Sequence, residues 1–448
     1  MNFILQAFYW DCFKIEKKVG AWWKYLKGMV PEMKQFGINT LYLPPPFKGG
    51  DGIRSMGYDP YDYYDLGTYD QKNSVSTAYG TQTDLLDLIK TAHQNGIKVI
   101  TDLVINHCSG ADIKEVNPIN GKKGWTGFNP ASGKFVRNWE CFYPSSFAKQ
   151  KKGEVFDPFV NLCYENPYVR KEVLMLCKWL IEEMCFDGFR FDFAKGYPAE
   201  VVGEIMRTDY RRNEKPFKIT GIAEVWDENP KVIDNWMKGT NLDVQYDLTL
   251  LDFIVQRLLS DMFEKKIFSI HRNMDRFKSI EKLKKVRSTG FLDNHDTFRN
   301  GKKKSLDFIF VSYAYLILHY PSVSMFWLHY LEISKKKEMV GAIRSLEDLT
   351  RGDNIEVLDT KPVKNKVLLS EIKIKENKLN GVAIFNFNSE TTNLPINLKD
   401  HKSVLCLKEY WPTNETGFQY KIYPDSRNFV EIPLPSFGYV IYLEEITN

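Results

Sequence analysis

The 448-residue chain carries 61 basic and 57 acidic side chains, a formal charge of +4. Its basic residues lie in short runs such as Lys302–Lys304 and Lys335–Lys337 that read as solvated faces rather than a nucleic-acid groove. The length exceeds one small domain and suits a barrel, roughly 250 residues before insertions, with an appendage. The seven cysteines form no CxxC pair and are odd in number, which argues against a zinc site or a disulfide framework. No window approaches the roughly 18 uninterrupted apolar residues of a membrane span. The opening MNFILQAFYWD lacks a basic n-region and a cleavage site, so the expected location is cytoplasmic.

In chain order, strand-like and helix-like segments alternate. Strands are expected over 2–9, 38–43, 97–105, 187–192, 217–224, 242–246, 288–292 and 322–327. Helices are expected over 20–36, 81–96, 167–184, 198–212, 229–238, then helical material to about 283, 305–320 and 333–350. This alternation predicts an α/β fold with a parallel sheet, closed as a (β/α)8 barrel. The expected boundaries are 1–107 and 161–353 for the barrel. Residues 108–160, rich in Gly, Lys, Asn, Pro and aromatics, lack a helical period and read as a small domain inserted after the third strand. From 354 to 448 short alternating runs such as VLLSEIKI and GYVIYLEE predict an all-β C-terminal domain, a sandwich.

Four segments end apolar runs in ionisable residues: DLVINH at 102–107, GFRFDFAKG at 188–196, GIAEVWD at 221–227 and FLDNHDT at 291–297. They place Asp102, His107, Arg190, Asp192, Glu224, His295 and Asp296 at strand ends, where a barrel of this kind presents its active site. Several carboxylates without a cysteine or histidine metal cluster point to sugar chemistry. These four segments, with ILQAFYWD at the start and SMGYDPYDYYDLG at 55–67, resemble the α-amylase family of glycoside hydrolases (family thirteen), in particular plant and archaeal α-amylases, over nearly the whole chain.

The resemblance implies retaining endo-hydrolysis of α-1,4-linked glucans through a covalent intermediate. Asp192 is then the nucleophile, oriented by Arg190 two residues before it on the same side of the strand. Taken alone, Arg190 and Asp192 suit a structural ion pair equally well. Glu224 is the acid and base, with Val225, Trp226 and Asp192 expected to raise its pKa. Asp296 is the third carboxylate, gripping sugar hydroxyls. His107 and His295 are expected to donate hydrogen bonds to the same sugar, Tyr58 to stack beneath it, Asp102 to support the site, and Lys195 to lie on the leaving-group side.

The resemblance also implies a structural Ca2+ between barrel and insert, held by Asn106, a backbone carbonyl near Gly196 and an aspartate from the insert. Asn161, in VNLCYENP, stands where that aspartate belongs, and fewer charges mean weaker calcium binding. Glu154 or Asp157 could compensate. HYPSVSMFWLHY at 319–330 also departs from the family pattern in a loop expected to border the pocket. Two alternatives remain open on these residues: a glucan transglycosylase on the same machinery, and a non-catalytic glucan-binding relative. The expected partner is an α-glucan, with no nucleic acid and no membrane, and the expected state is a monomer.

Overall fold

The computed structural model describes residues 1–264, 288–350, 355–364, 366–375, 380–397, 404–410, 421–422, 429–434 and 436–444. Eight parallel strands form a closed barrel: β1 (Asn2–Gln6), β2 (Thr40–Leu43), β3 (Lys98–Leu103), β4 (Gly188–Phe191), β5 (Thr220–Ala223), β6 (Asp247–Leu251), β7 (Ser288–Phe291) and β8 (Ser322–Phe326). Each neighbours the next in the chain, and β8 neighbours β1. TLYL, GFRF and TGIA are buried at every position, as strands covered on both faces require. At the start of β4 only glycine fits, because a Cβ on Gly188 would lie 1.8 Å from the Thr220 carbonyl oxygen.

The helices follow their sequence signals. The helix α1 (Trp22–Phe36) buries Trp22, Trp23, Leu26, Val30 and Met33 and stops at Gly37, whose φ is 105°. The helix α2 (Gln82–Gln94) starts at a capping box made by Thr81 and Asp84. The helices α3 (Pro167–Glu182) and α4 (Ala199–Arg207) follow, the first capped by Asn166 with Pro167 in its first turn. Asn229 and Pro230 open α5 (Pro230–Gly239) in the same way.

Two compact units are distinguished, Ile4–Leu251 and Met1–Phe3 with Asp252–Asn448. In the first, the segment expected as an insert is joined at its neck. His107–Cys108 pairs antiparallel with Val160–Asn161, placing His107 opposite Asn161. A hairpin of Ile113–Val116 and Lys123–Gly127 projects from it. In the second unit, α6 (Phe253–Phe263), α7 (Leu306–His319) and α8 (Lys337–Thr350) carry the helical pattern on. Beyond them lie a six-stranded sheet and a two-stranded sheet. Val367, Leu369, Ile384 and Val440 from the former share a buried core with Leu394, Ile432 and Leu434 from the latter, which is sandwich packing.

Two expectations need correction. The sixth strand is Asp247–Leu251, not 242–246, because DLTLL supplies the buried run while Val244 is 74% exposed. The helix expected over 198–212 ends at Arg207. Residues after it form a hairpin of Tyr210–Arg212 and Lys215–Phe217, turned at Asn213 and Glu214 with φ of 49° and 63°. The stretch 265–287, to which helical material was expected to extend, lies outside the described residues.

Candidate active site

In β3 and β4, Arg190 stands opposite Asp102 in the parallel register, so the two side chains emerge on one side of the sheet. Arg190 Nη1 donates to Asp102 Oδ1 at 2.9 Å and to Asp192 Oδ1 at 2.6 Å. Its Nη2 pairs with Glu224 Oε1 at the end of β5. One guanidinium, 1% exposed, therefore gathers three carboxylates, and all four residues are buried.

The rest of the cluster is fixed by donors aimed at it. Tyr42 and Tyr58 each donate a phenolic O–H to Asp102 Oδ2 at 2.6 Å. Burial pushes both phenols well above their ordinary value, which keeps them donors. After Asp192 the chain turns at Phe193, which holds a left-handed conformation with φ 43° and ψ 49°. A bulky residue enters that region only where its surroundings enforce it. Here the turn brings the Phe193 N–H to Glu224 Oε2 at 3.0 Å and the Ala194 N–H to the Glu224 carbonyl at 3.1 Å.

The charge count is unbalanced. Three carboxylates face one cation, so full ionisation would leave a net double negative charge in a buried site. Burial accordingly pushes the Asp192 carboxyl well above 3.8, against the pull of Arg190 and with added repulsion from Asp102 and Glu224. Arg190 donates to Asp192, but burial opposes the ionised form.

Residues 24–305, well over half of the chain, match the family model described as alpha amylase, catalytic domain. The chain belongs to the alpha-amylase family. The cytoplasmic alpha-amylase of Escherichia coli (strain K12) is 30% identical over 268 residues, 50% of this chain and 53% of that protein. Alpha-amylase of Bacillus licheniformis is 28% identical over 265 residues, 50% of this chain and 51% of that protein. The chain thus spans about half the length of these two relatives. Probable alpha-amylase 2 of Arabidopsis thaliana is 24% identical over 348 residues, covering 73% of this chain and 75% of that protein. The crystal structure of alpha-amylase from Geobacillus thermoleovorans complexed with acarbose shares the fold, with a TM-score of 0.69 at 17% identity and coverage of 100% of this chain and 98% of that one.

Within this alpha-amylase-family chain, the other predicted residues fall into separate groups. His107 is 1% exposed and its Nε2–H donates to the Tyr58 carbonyl at 2.9 Å. Its ring stacks on Phe156, with centroids 4.2 Å apart, and burial lowers its pKa to about 4, so it is neutral at pH 7. In this arrangement the Nε2–H is committed to backbone rather than pointed at a sugar. Tyr58 stacks on Trp10 at 5.8 Å. Lys195 pairs with Glu154 at 2.8 Å and Asp227 at 3.1 Å. Val225 is buried as expected beside Glu224, whereas Trp226 is 46% exposed.

Asn106 and Asn161 lie together, Asn106 Nδ2 donating to Asn161 Oδ1 at 3.2 Å. A Cβ on Gly196 would stand 2.4 Å from Asn106 Oδ1 and from the Phe193 ring. In the second unit, His295 and Asp296 occupy the first turn of the helix His295–Asn300, capped by Asn294. The neighbouring Asp293 is buried and accepts from Lys304 at 2.8 and 2.9 Å. The divergent segment forms β8 and the helix Trp327–Ile333, whose buried His329 lies 3.4 Å from Asp293.

Sequence reading missed Tyr42 and Lys151. Tyr42 was visible as the one aromatic hydroxyl in the buried run TLYL. Lys151 Nζ donates to Asn106 Oδ1 at 2.7 Å and Asn161 Oδ1 at 2.6 Å, but in KQKKGE nothing distinguishes it from a solvated lysine.

Two outcomes follow from this geometry. Because the folded Asp192 pKa is raised, its protonated form favours folding below pH 3.8, and that contribution is lost as pH rises through the folded value. Asp192→Asn removes the cost. In thermal melts the variant is expected to be more stable than wild type at pH 7, with the gap closing as pH falls towards 3.8. Gly196→Ala is expected to destabilise by about 1–3 kcal/mol through overpacking against Asn106 and Phe193, read in the same melts.

Proposed function

We propose that the chain is a retaining, endo-acting hydrolase of α-1,4-linked glucans such as starch, glycogen or maltodextrins. The observation that carries this reading is the Arg190 guanidinium shared between Asp192 and Glu224. Two carboxylates joined by one guanidinium suit the short separation of a double displacement, about 5–5.5 Å, better than the roughly 6.5–9.5 Å that accommodates a water between them.

In this mechanism the buried pair holds one proton, and Glu224 carries it when substrate is bound. Asp192 attacks the anomeric carbon as Glu224 protonates the departing glycosidic oxygen. The C–O bond to the leaving chain breaks and a glycosyl ester to Asp192 forms. Glu224, now ionised, takes a proton from water. The oxygen of that water bonds to the same carbon as the ester bond to Asp192 breaks, which leaves a hydroxyl on the product, Asp192 ionised and Glu224 protonated by the proton it took. Tyr42, Tyr58 and Asp102 position Arg190, and through it both carboxylates. For Asp296 and His295 we propose the sugar-binding roles that the family resemblance implies.

The test is reducing-end release from soluble starch with the product anomer followed by NMR. Asp192→Asn and Glu224→Gln are each expected to lose about 10³-fold or more in kcat/KM, and the first product to be the α-anomer. Full activity in either variant, or a β-anomer, would sink the reading. Product chains longer than the substrate would instead mark a transglycosylase, and binding without release a non-catalytic relative. Since the nucleophile must be ionised, kcat/KM is also expected to fall on the acid side with a midpoint above 3.8, measured as a pH profile on a short maltooligosaccharide.

A further inference from the structure

Relatives of this family are expected to hold Ca2+ at the junction of barrel and insert, and the residues here do not fit it. Lys151 Nζ reaches Asn106 Oδ1, Asn161 Oδ1 and the Glu154 carbonyl. Those three acceptors satisfy all three hydrogens of an ammonium. The oxygens are two neutral amides and a carbonyl, whereas Ca2+ is held largely by carboxylates. The acids that could have compensated are engaged elsewhere or turned outward. Glu154 directs its carboxylate to Lys195, and Asp157 is exposed. Among the described residues no group of three or more His, Cys, Asp or Glu could hold a metal ion. A divalent cation at these oxygens would also face the Lys151 charge directly.

The surroundings show what a cation does here. The Glu154 N–H donates to the Lys195 carbonyl at 3.1 Å, and Gly153 packs on the Lys195–Gly196 backbone. Asn161 Oδ1 also accepts from the Phe156 N–H at 3.0 Å, while its Nδ2 donates to the carbonyls of Phe156 and Phe159. Phe156 in turn covers His107. The Lys151 contacts thus draw together the end of β3, the insert and the turn after β4.

We propose that the Lys151 ammonium is a built-in substitute for the family's structural calcium, so that this chain holds its insert to the barrel without a metal. The proposal does not depend on which glucan is cleaved. Wild-type full-length protein is expected to show the same melting temperature and the same starch hydrolysis in EDTA and in CaCl2, and no Ca2+ uptake in equilibrium dialysis. Lys151→Met is expected to melt about 5 °C or more lower, with calcium giving no recovery. Pairing Lys151→Ala with Asn161→Asp removes the ammonium and restores the acid, and this variant is expected to gain a calcium-dependent melting temperature. Loss of wild-type stability in EDTA with recovery on adding calcium would overturn the proposal. So would a Lys151→Met protein with unchanged melting temperature, or a double variant indifferent to calcium. If Lys151→Met fails to fold, the wild-type melts and dialysis still decide the matter.

Discussion

The site depends on a single buried cation. Arg190 is 1% exposed and meets Asp102, Asp192 and Glu224 with the two ends of its guanidinium. Arginine suits this position because its planar fork can serve several carboxylates at once and stays charged when buried. Burying such a cluster is costly, and the cost is offset by three further donors. Tyr42 and Tyr58 add two donors to Asp102 Oδ2, and the Phe193 N–H satisfies Glu224 Oε2. The surplus negative charge is not offset, and it adds to the burial that chiefly raises Asp192.

Strand register sets this geometry. Arg190 lies opposite Asp102 on one side and Ile222 on the other, so Glu224, two residues beyond Ile222, shares its side of the sheet. A slip of one residue would turn Arg190 away from all three acids. Gly188 permits the close approach of β4 to β5 that fixes the register. The left-handed turn at Phe193 then spends conformational strain to bring a backbone donor to Glu224.

Much of this was legible in the sequence because buried parallel strands are short apolar runs ending in polar residues. LYL, GFRF and GIA announced themselves, and so did Asp192 and Glu224 beyond them. The errors have physical causes. LDVQY alternates like a strand, but Asp243, Val244 and Gln245 face solvent, and the buried run begins at Leu248. The segment 198–212 reads as one helix because the turn that closes the hairpin lies just beyond it, where Asn213 carries a left-handed preference but Glu214 does not. His107 was legible as a strand-end histidine, whereas its commitment to the Tyr58 carbonyl depends on a loop 49 residues away. Lys151 was the least legible of all, since its partners lie 45 and 10 residues distant and its neighbours in sequence are ordinary surface lysines.

The two fixed cations are linked by polar contacts. Asn106 accepts from Lys151 and donates to His107 Nδ1 at 3.3 Å. His107 Nε2 donates to the Tyr58 carbonyl, and the Tyr58 hydroxyl donates to Asp102, which holds Arg190. That order of donors requires His107 to be the neutral tautomer protonated on Nε2, and its lowered pKa supplies the neutral form. Lys151, which can only donate, turns the Asn106 oxygen to itself and the amide nitrogen to His107, while the Tyr58 carbonyl and the Asp102 carboxylate accept the remaining bonds. A metal ion would impose the same polarity at the Asn106 end, but its occupancy would vary with ion concentration. An ammonium carried on the insert is present whenever the chain is folded, so the geometry around Tyr58 and Asp102 becomes a property of the fold itself.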